Sequence, residues 1–283
     1  MAAPLAFGLF NINNFVCSHP ENIATVAKAA EDAGFDSLWT GEHVVLPDPQ
    51  VPPSPVAPEG RMLDPAVALT YAAAFTKSIK LGTGIIILPQ RNPLVLAKEL
   101  ASVDVVSGGR LIFGVGVGYL QPEFDALGIS MEDRGNKTLE YIDAMRAIWS
   151  ADKAAYSGKY VNFAGVSANP KPVQASGPPV VMGGHTGPAW RKAVTHCQGW
   201  YGYALDHDAV AKNVEGLRKA AERHERPAWL GELEITVTPR GRLDRDAVDR
   251  FAELGVHRLV LIPRGDDVDS WKAYIDDMAK SLL

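Results

Sequence analysis

The chain has 283 residues, 47% hydrophobic and 22% charged, enough apolar material for a large core and a size at which an α/β barrel is commonly one domain. Its formal net charge is -5 with both signs spread along the chain, which excludes a basic stripe for nucleic acid and a polybasic segment for a membrane surface and leaves a small molecule as the expected partner. No apolar run approaches the roughly 20 residues needed to span a bilayer.

In chain order, eight short β-rich runs alternate with longer segments of helical periodicity, the pattern of parallel strands joined by crossover helices. The predicted strands are 5–11, 37–43, 79–89, 111–118, 179–184, 200–205, 232–239 and 258–263. Between them lie helical patterns such as "PENIATVAKAAEDAG", closing on Gly34, and "DPAVALTYAAAFT", with Asp64 as N-cap and Pro65 in the first turn. Eight strand and helix units over residues 1–283 predict one domain, a closed (β/α)8 TIM barrel, with a doubly wound open sheet as runner-up. Two stretches interrupt the rhythm, one after strand 2 and one before strand 5. "LPDPQVPPSPVAPEGR" holds six prolines between Pro47 and Pro58 and reads as a stiff loop. "AAYSGKYVNFAGVSANPKPVQ" reads as a hairpin turning at Ser157 and Gly158. Both are expected to wall the catalytic face, the alternative being tolerated surface insertions.

Within strand 4, "RLIFGVGVGYLQPEF" carries Gly114, Gly116 and Gly118 at alternate positions. The spacing fails the dinucleotide fingerprint, because the third-glycine position falls on Tyr119 or Gln121, and Pro122 is a poor start for the helix that motif requires. With a period of two, the three glycines share one face, which would leave room in the barrel mouth for a bulky planar ligand. Cys17 and Cys197 lack metal-ligand spacing, as do the scattered histidines, so no metal is expected. The N-terminal "MAAPLAFGLFN" has no charged region followed by a long apolar one, and a cytoplasmic protein with reduced thiols is expected.

The chain resembles the luciferase-like superfamily of barrel flavoproteins, and within it the coenzyme F420-dependent oxidoreductases. The residues that carry the resemblance are "AEDAGFDSLWTGEH", "KLGTGIIILPQRNPLVLAKELASVDVVSGGRLIFGVGVGYLQPEF", "DRGNKTLEYIDAMRAIW" and "PPVVMGGHTGPAWRKAV", in that order along the first two thirds of the chain. The resemblance implies that His43 at the end of strand 2 exchanges a proton with substrate, beside an orienting Glu42. Otherwise His43 is a strand-end histidine bonded to a nearby loop. It further implies a cis peptide at Gly84-Ile85 with Ile85 backing the cofactor ring, and Gly118 and Tyr119 beside the cofactor. Met182, Gly183, Gly184, His185 and Thr186 would form its phosphate site at a helix N-terminus. Arg134 and Glu140 are expected at the scaffold or cofactor periphery, and Trp39 in packing. The implied function is hydride transfer between F420 and a small organic substrate, by a homodimer. An FMN-dependent monooxygenase of the same superfamily is the alternative, and a flavin-binding protein without activity a further one. An isomerase or aldolase barrel is disfavoured, because no predicted strand ends in a Schiff-base lysine or clustered carboxylates.

Overall fold

A computed structural model describes residues 5–241 and 243–283. In chain order the main elements are β1 (Ala6–Leu9), α1 (Pro20–Asp32), β2 (Ser37–Thr40), α2 (Pro65–Phe75), β3 (Lys80–Thr83), β4 (Ile86–Ile87), α3 (Pro93–Ser107), β5 (Leu111–Gly116), α4 (Gln121–Ala126) and α5 (Arg134–Ser150). They continue as β6 (Ala154–Ser157), β7 (Asn162–Val166), β8 (Val180–Gly183), α6 (Gly187–His196), β9 (Gly199–Leu205), α7 (His207–Arg223), β10 (Glu234–Pro239), α8 (Arg245–Glu253), β11 (Arg258–Leu261) and α9 (Val268–Leu282). All strands except β6 and β7 pair in parallel in one ring, closed by β1 on β11 and by β3 on β5. This is the expected α/β TIM barrel, with the third barrel strand split into β3 and β4.

Local chemistry explains several boundaries. Asp64 accepts the backbone N–H groups of Ala66 and Val67 at 2.9 and 3.3 Å and so starts α2 behind Pro65. Asn92 does the same for α3 through Leu94 and Val95, and Gly108, at φ 70°, ends that helix in the left-handed region that glycine tolerates best. Alternation along the strands then divides the core. Phe113, Val115 and Met182 pack beneath the helices, whereas Phe10, Trp39, Ile112, Val181, Tyr201 and Val260 fill the barrel interior. Trp39 is fully buried and stacks on Tyr201 at 5.4 Å; a Cβ on Gly8 or Gly82 would collide with its indole ring. Trp39 is therefore a packing residue, as expected.

Two expectations are corrected. Pro122 does not prevent a helix: α4 begins at Gln121 with the proline in its first turn, where the missing N–H has no intrahelical partner to lose. The glycine row in β5 does not leave space for a ligand. A Cβ on Gly114 would fall on the Thr83 carbonyl oxygen and one on Gly116 on the end of Ile85, so the protein's own broken third strand occupies that room. The β6-β7 hairpin leaves from the end of α5 away from the mouth and turns back along that helix toward its first residues. It lies along α5, whose Glu140 accepts the N–H groups of Lys159, Tyr160 and Val161 at 3.0, 2.6 and 2.7 Å. Lys159 also pairs with Asp133 at 2.6 Å.

The proline loop does rise from the catalytic end. Asn13, fully buried, gathers both its ends: the side-chain amide donates to the carbonyls of Gly41 and Leu63 at 2.8 and 2.7 Å and accepts from Gly41 N–H at 3.0 Å. Among the described residues no helix is long and apolar enough to cross a membrane.

Candidate active site

The C-terminal ends of β2, β4, β5 and β8 bring together most of the residues singled out in the sequence. His43 follows β2, with its Nδ1 3.1 Å from Glu123 Oε2 and its Nε2 3.3 Å from the Tyr119 hydroxyl. The other Glu123 oxygen accepts Val44 N–H at 2.6 Å. Glu123 is carried by α4, so the helix that the proline seemed to forbid supplies the partner of His43. Sequence reasoning missed it, because a carboxylate 80 positions from its histidine leaves no local periodic signal. Burial alone would push the Glu123 carboxyl up. The hydrogen bond and charge of His43 and the Val44 N–H outweigh it and hold the group below the usual glutamate range. Tyr119, at the rim just beyond Gly118, is half-exposed; burial, then the charges of Glu123 and Tyr203, raise its phenol above the ordinary value. Gly118 sits at φ 78°, and a Cβ there would clash with Phe124 and Ile87, so it closes the rim against α4 and β4.

Glu42 points the other way from His43, into the protein. Its carboxylate accepts Ile87 N–H and pairs with Arg91, which also reaches Asp64 at 2.9 Å. Only 2% of the Glu42 side chain is exposed, and burial pushes its carboxyl up against the opposing pull of Arg91 and the Ile87 N–H. This places Glu42 as a strap between the end of β2 and β4.

Between β3 and β4 the Gly84-Ile85 peptide is cis. Gly84 N–H donates to Thr40 O at 2.8 Å, and Thr83 Oγ1 donates to Gly114 O at 2.7 Å, which lock the break against both neighbouring strands. Ile85 is left half-buried across Gly114, Gly116 and Gly183, an apolar shelf just below the mouth.

After β8, Gly183 faces Ile85, and Gly184 adopts φ 122°, a conformation open to glycine. Thr186 is the N-cap of α6, yet its hydroxyl makes no capping bond, and the space beside Gly187 is open. The hydroxyl and the first-turn amides are thus available to an anion at the positive end of the helix dipole. His185 turns aside: its Nε2 accepts Tyr203 N–H at 3.1 Å, and burial lowers its pKa, so it is an uncharged acceptor. Met182 is fully buried with its side chain in the layer under the helices, away from the mouth, because it alternates with the inward-facing Val181. Arg134 donates to Gly118 O at 3.2 Å and Met131 O at 3.0 Å, tying α5 to the rim. An apolar shelf, an anion cradle following Gly183 beside it and a histidine at the edge suit a planar cofactor bearing a phosphate.

A barrel with a histidine, a buried carboxylate and an open helix N-terminus at its mouth has the layout of a (β/α)8 enzyme. The sequence model of the luciferase-like monooxygenase family matches residues 12–248, and the chain belongs to that family. It is similar to the 5,10-methylenetetrahydromethanopterin reductase of Methanolobus tindarius, with 35% identity over 282 residues, covering 98% of this chain and 77% of the relative. Among solved structures its fold matches monooxygenase RslO1 from Streptomyces bottropensis, at TM-score 0.80 and 20% identity over 99% of both chains. It also matches the coenzyme F420-dependent tetrahydromethanopterin reductase from Methanopyrus kandleri, at TM-score 0.79 and 19% identity over 99% of both chains.

Proposed function

We propose that this enzyme is an F420-dependent oxidoreductase that moves a hydride between the deazaflavin and a small organic substrate. The observation that carries the reading is the shelf of Ile85 set between the His43-Glu123 pair and the Gly183-Gly184 turn that leads into α6. The deazaflavin would supply hydride chemistry; the chain would supply a flat apolar support, backbone and Thr186 donors for the phosphate, and a proton path at the His43 edge. Two relatives give further support: the reductase of Methanolobus tindarius, and the Methanopyrus kandleri enzyme, named as F420-dependent. Expression in a host that makes F420, followed by absorbance of the purified protein and competition titration, is expected to give bound F420 that FMN does not displace. Tight FMN binding without F420 affinity would sink this reading in favour of the FMN-dependent monooxygenase, which the likeness to RslO1 supports. The two cysteines are free and buried, which fits the reducing conditions of the cytoplasm.

A homodimer belongs to the same proposal. Val67, Tyr71 and Phe75 are exposed at helical spacing on α2, and Val95 and Val106 on the adjacent α3, an outward apolar face of the kind a second copy covers. Light scattering on the eluting protein is expected to give twice the chain mass of 30.5 kDa. The Val67→Glu/Val106→Glu variant should elute as folded monomer, whereas a wild-type monomer would remove this part of the proposal.

A further inference from the structure

His43 is the residue that chemistry alone would place against the substrate, yet only 7% of its side chain is exposed, and both ring nitrogens are engaged inside the protein. An ionised Glu123 has no proton to give, so the proton between them sits on His43 Nδ1. In the neutral imidazole Nε2 is then the lone-pair side of the ring, placed to accept the Tyr119 hydroxyl proton at 3.3 Å. The two rings meet edge to face at 84°, with centroids 5.9 Å apart, and Tyr119 is 51% exposed. The outward end of this chain of groups is the phenol. Its raised pKa keeps it protonated at neutral pH, and Glu123, Val44 N–H and the buried wall of α4 fix the ring behind it.

We propose that Tyr119, rather than His43, is the catalytic residue that exchanges the proton with substrate, and that His43, oriented by Glu123, acts through it. The proposal rests on the hydride-transfer reading above. In the oxidising direction a substrate alcohol loses its carbinol hydrogen with the electron pair, as hydride, to the bound deazaflavin. Its O–H proton passes to Tyr119 Oη while the Tyr119 proton moves to His43 Nε2, leaving a carbonyl product and an imidazolium paired with the Glu123 carboxylate. The reducing direction reverses each transfer.

Two measurements test this. In the cofactor-free protein labelled with ¹⁵N-histidine, His43 is expected as the Nδ1–H tautomer with a hydrogen-bonded Nε2. Tyr119→Phe should keep that tautomer and move the Nε2 resonance toward the value of an unbonded ring nitrogen. With F420 and a series of secondary alcohols from propan-2-ol to cyclohexanol as probes, Tyr119→Phe should lower kcat about 100-fold or more with F420 affinity nearly unchanged. His43→Gln should fall comparably, and the double variant no further. An Nε2 resonance indifferent to Tyr119→Phe, or wild-type kcat in Tyr119→Phe beside an inactive His43→Gln, overturns the proposal. Failure of the wild type to bind F420 would count against the proposed function instead, and the nitrogen resonance decides the place of Tyr119 without any cofactor.

Discussion

Gly114→Ala is expected to destabilise the barrel by about 3 kcal/mol or more, the upper range for overpacking a close-packed interior. The added methyl would overlap the Thr83 carbonyl oxygen, which is backbone and already fixed by the hydrogen bond from Thr83 Oγ1 to Gly114 O and by Gly84 N–H on Thr40 O. Moving it means unpicking the break between β3 and β4. Gly116→Ala, two residues on, meets only the end of the Ile85 side chain, which has other rotamers. That variant should fold, with its loss appearing as weaker cofactor binding because the shelf is displaced. Urea unfolding followed by circular dichroism separates the two. A Gly114→Ala loss under about 1 kcal/mol would mean that the break is not clasped as described.

The second large effect is expected at Arg91. Removing one partner of a buried ion pair leaves a charge without compensation and typically costs about 3–5 kcal/mol. Arg91→Leu strands the Glu42 carboxylate with Ile87 N–H as its remaining partner. The sign with pH follows from the burial that already raises this carboxyl. With Arg91 gone, the folded-state pKa rises further above the unfolded value. The penalty is therefore absent at pH below the unfolded value, grows as pH rises through the interval between the two, and is complete above the folded value. The difference between wild type and Arg91→Leu in urea unfolding should be small near pH 4.5, the ordinary glutamate value, and largest near pH 8. Arg91→Leu/Glu42→Gln should recover much of the loss at pH 8. A deficit that does not change with pH would show that Glu42 is not the group left stranded.

What could be read before the structure was largely periodic. The alternation of strands and helices located all eight barrel strands, and the Asp64-Pro65 pair marked the start of α2, because both signals lie within a few neighbouring residues. What escaped was set by partners distant along the chain. Glu123 reaches His43, Arg91 reaches Glu42, and Asn13 reaches Leu63 across 50 positions, and nothing near any of these residues specifies its partner. The glycines of β5 show the same division. Their period was legible, but what they make room for depended on a break in a neighbouring strand. Met182 packs in the layer under the helices rather than at the mouth, a face that a strand of four residues does not announce in its sequence.

The twin anchorage by Asn13 has a consequence for how such an enzyme can diverge. Inside the proline loop the hydrogen bonds are local: Ser54 N–H to Val51 O, Gln50 Nε2 to Ser54 O, Ser54 Oγ to Val56 O and Gly60 N–H to Ala57 O. The attachments to the barrel lie near its two ends: Gly41 and Leu63 on Asn13, His43 and Val44 on Glu123, and Met62 bridged to Asn14. The interior therefore behaves as an exchangeable cassette, held near its ends by Asn13, Asn14 and Glu123 of the scaffold. Its length and composition can be rewritten by insertion, deletion or grafting while the strands beneath keep their register.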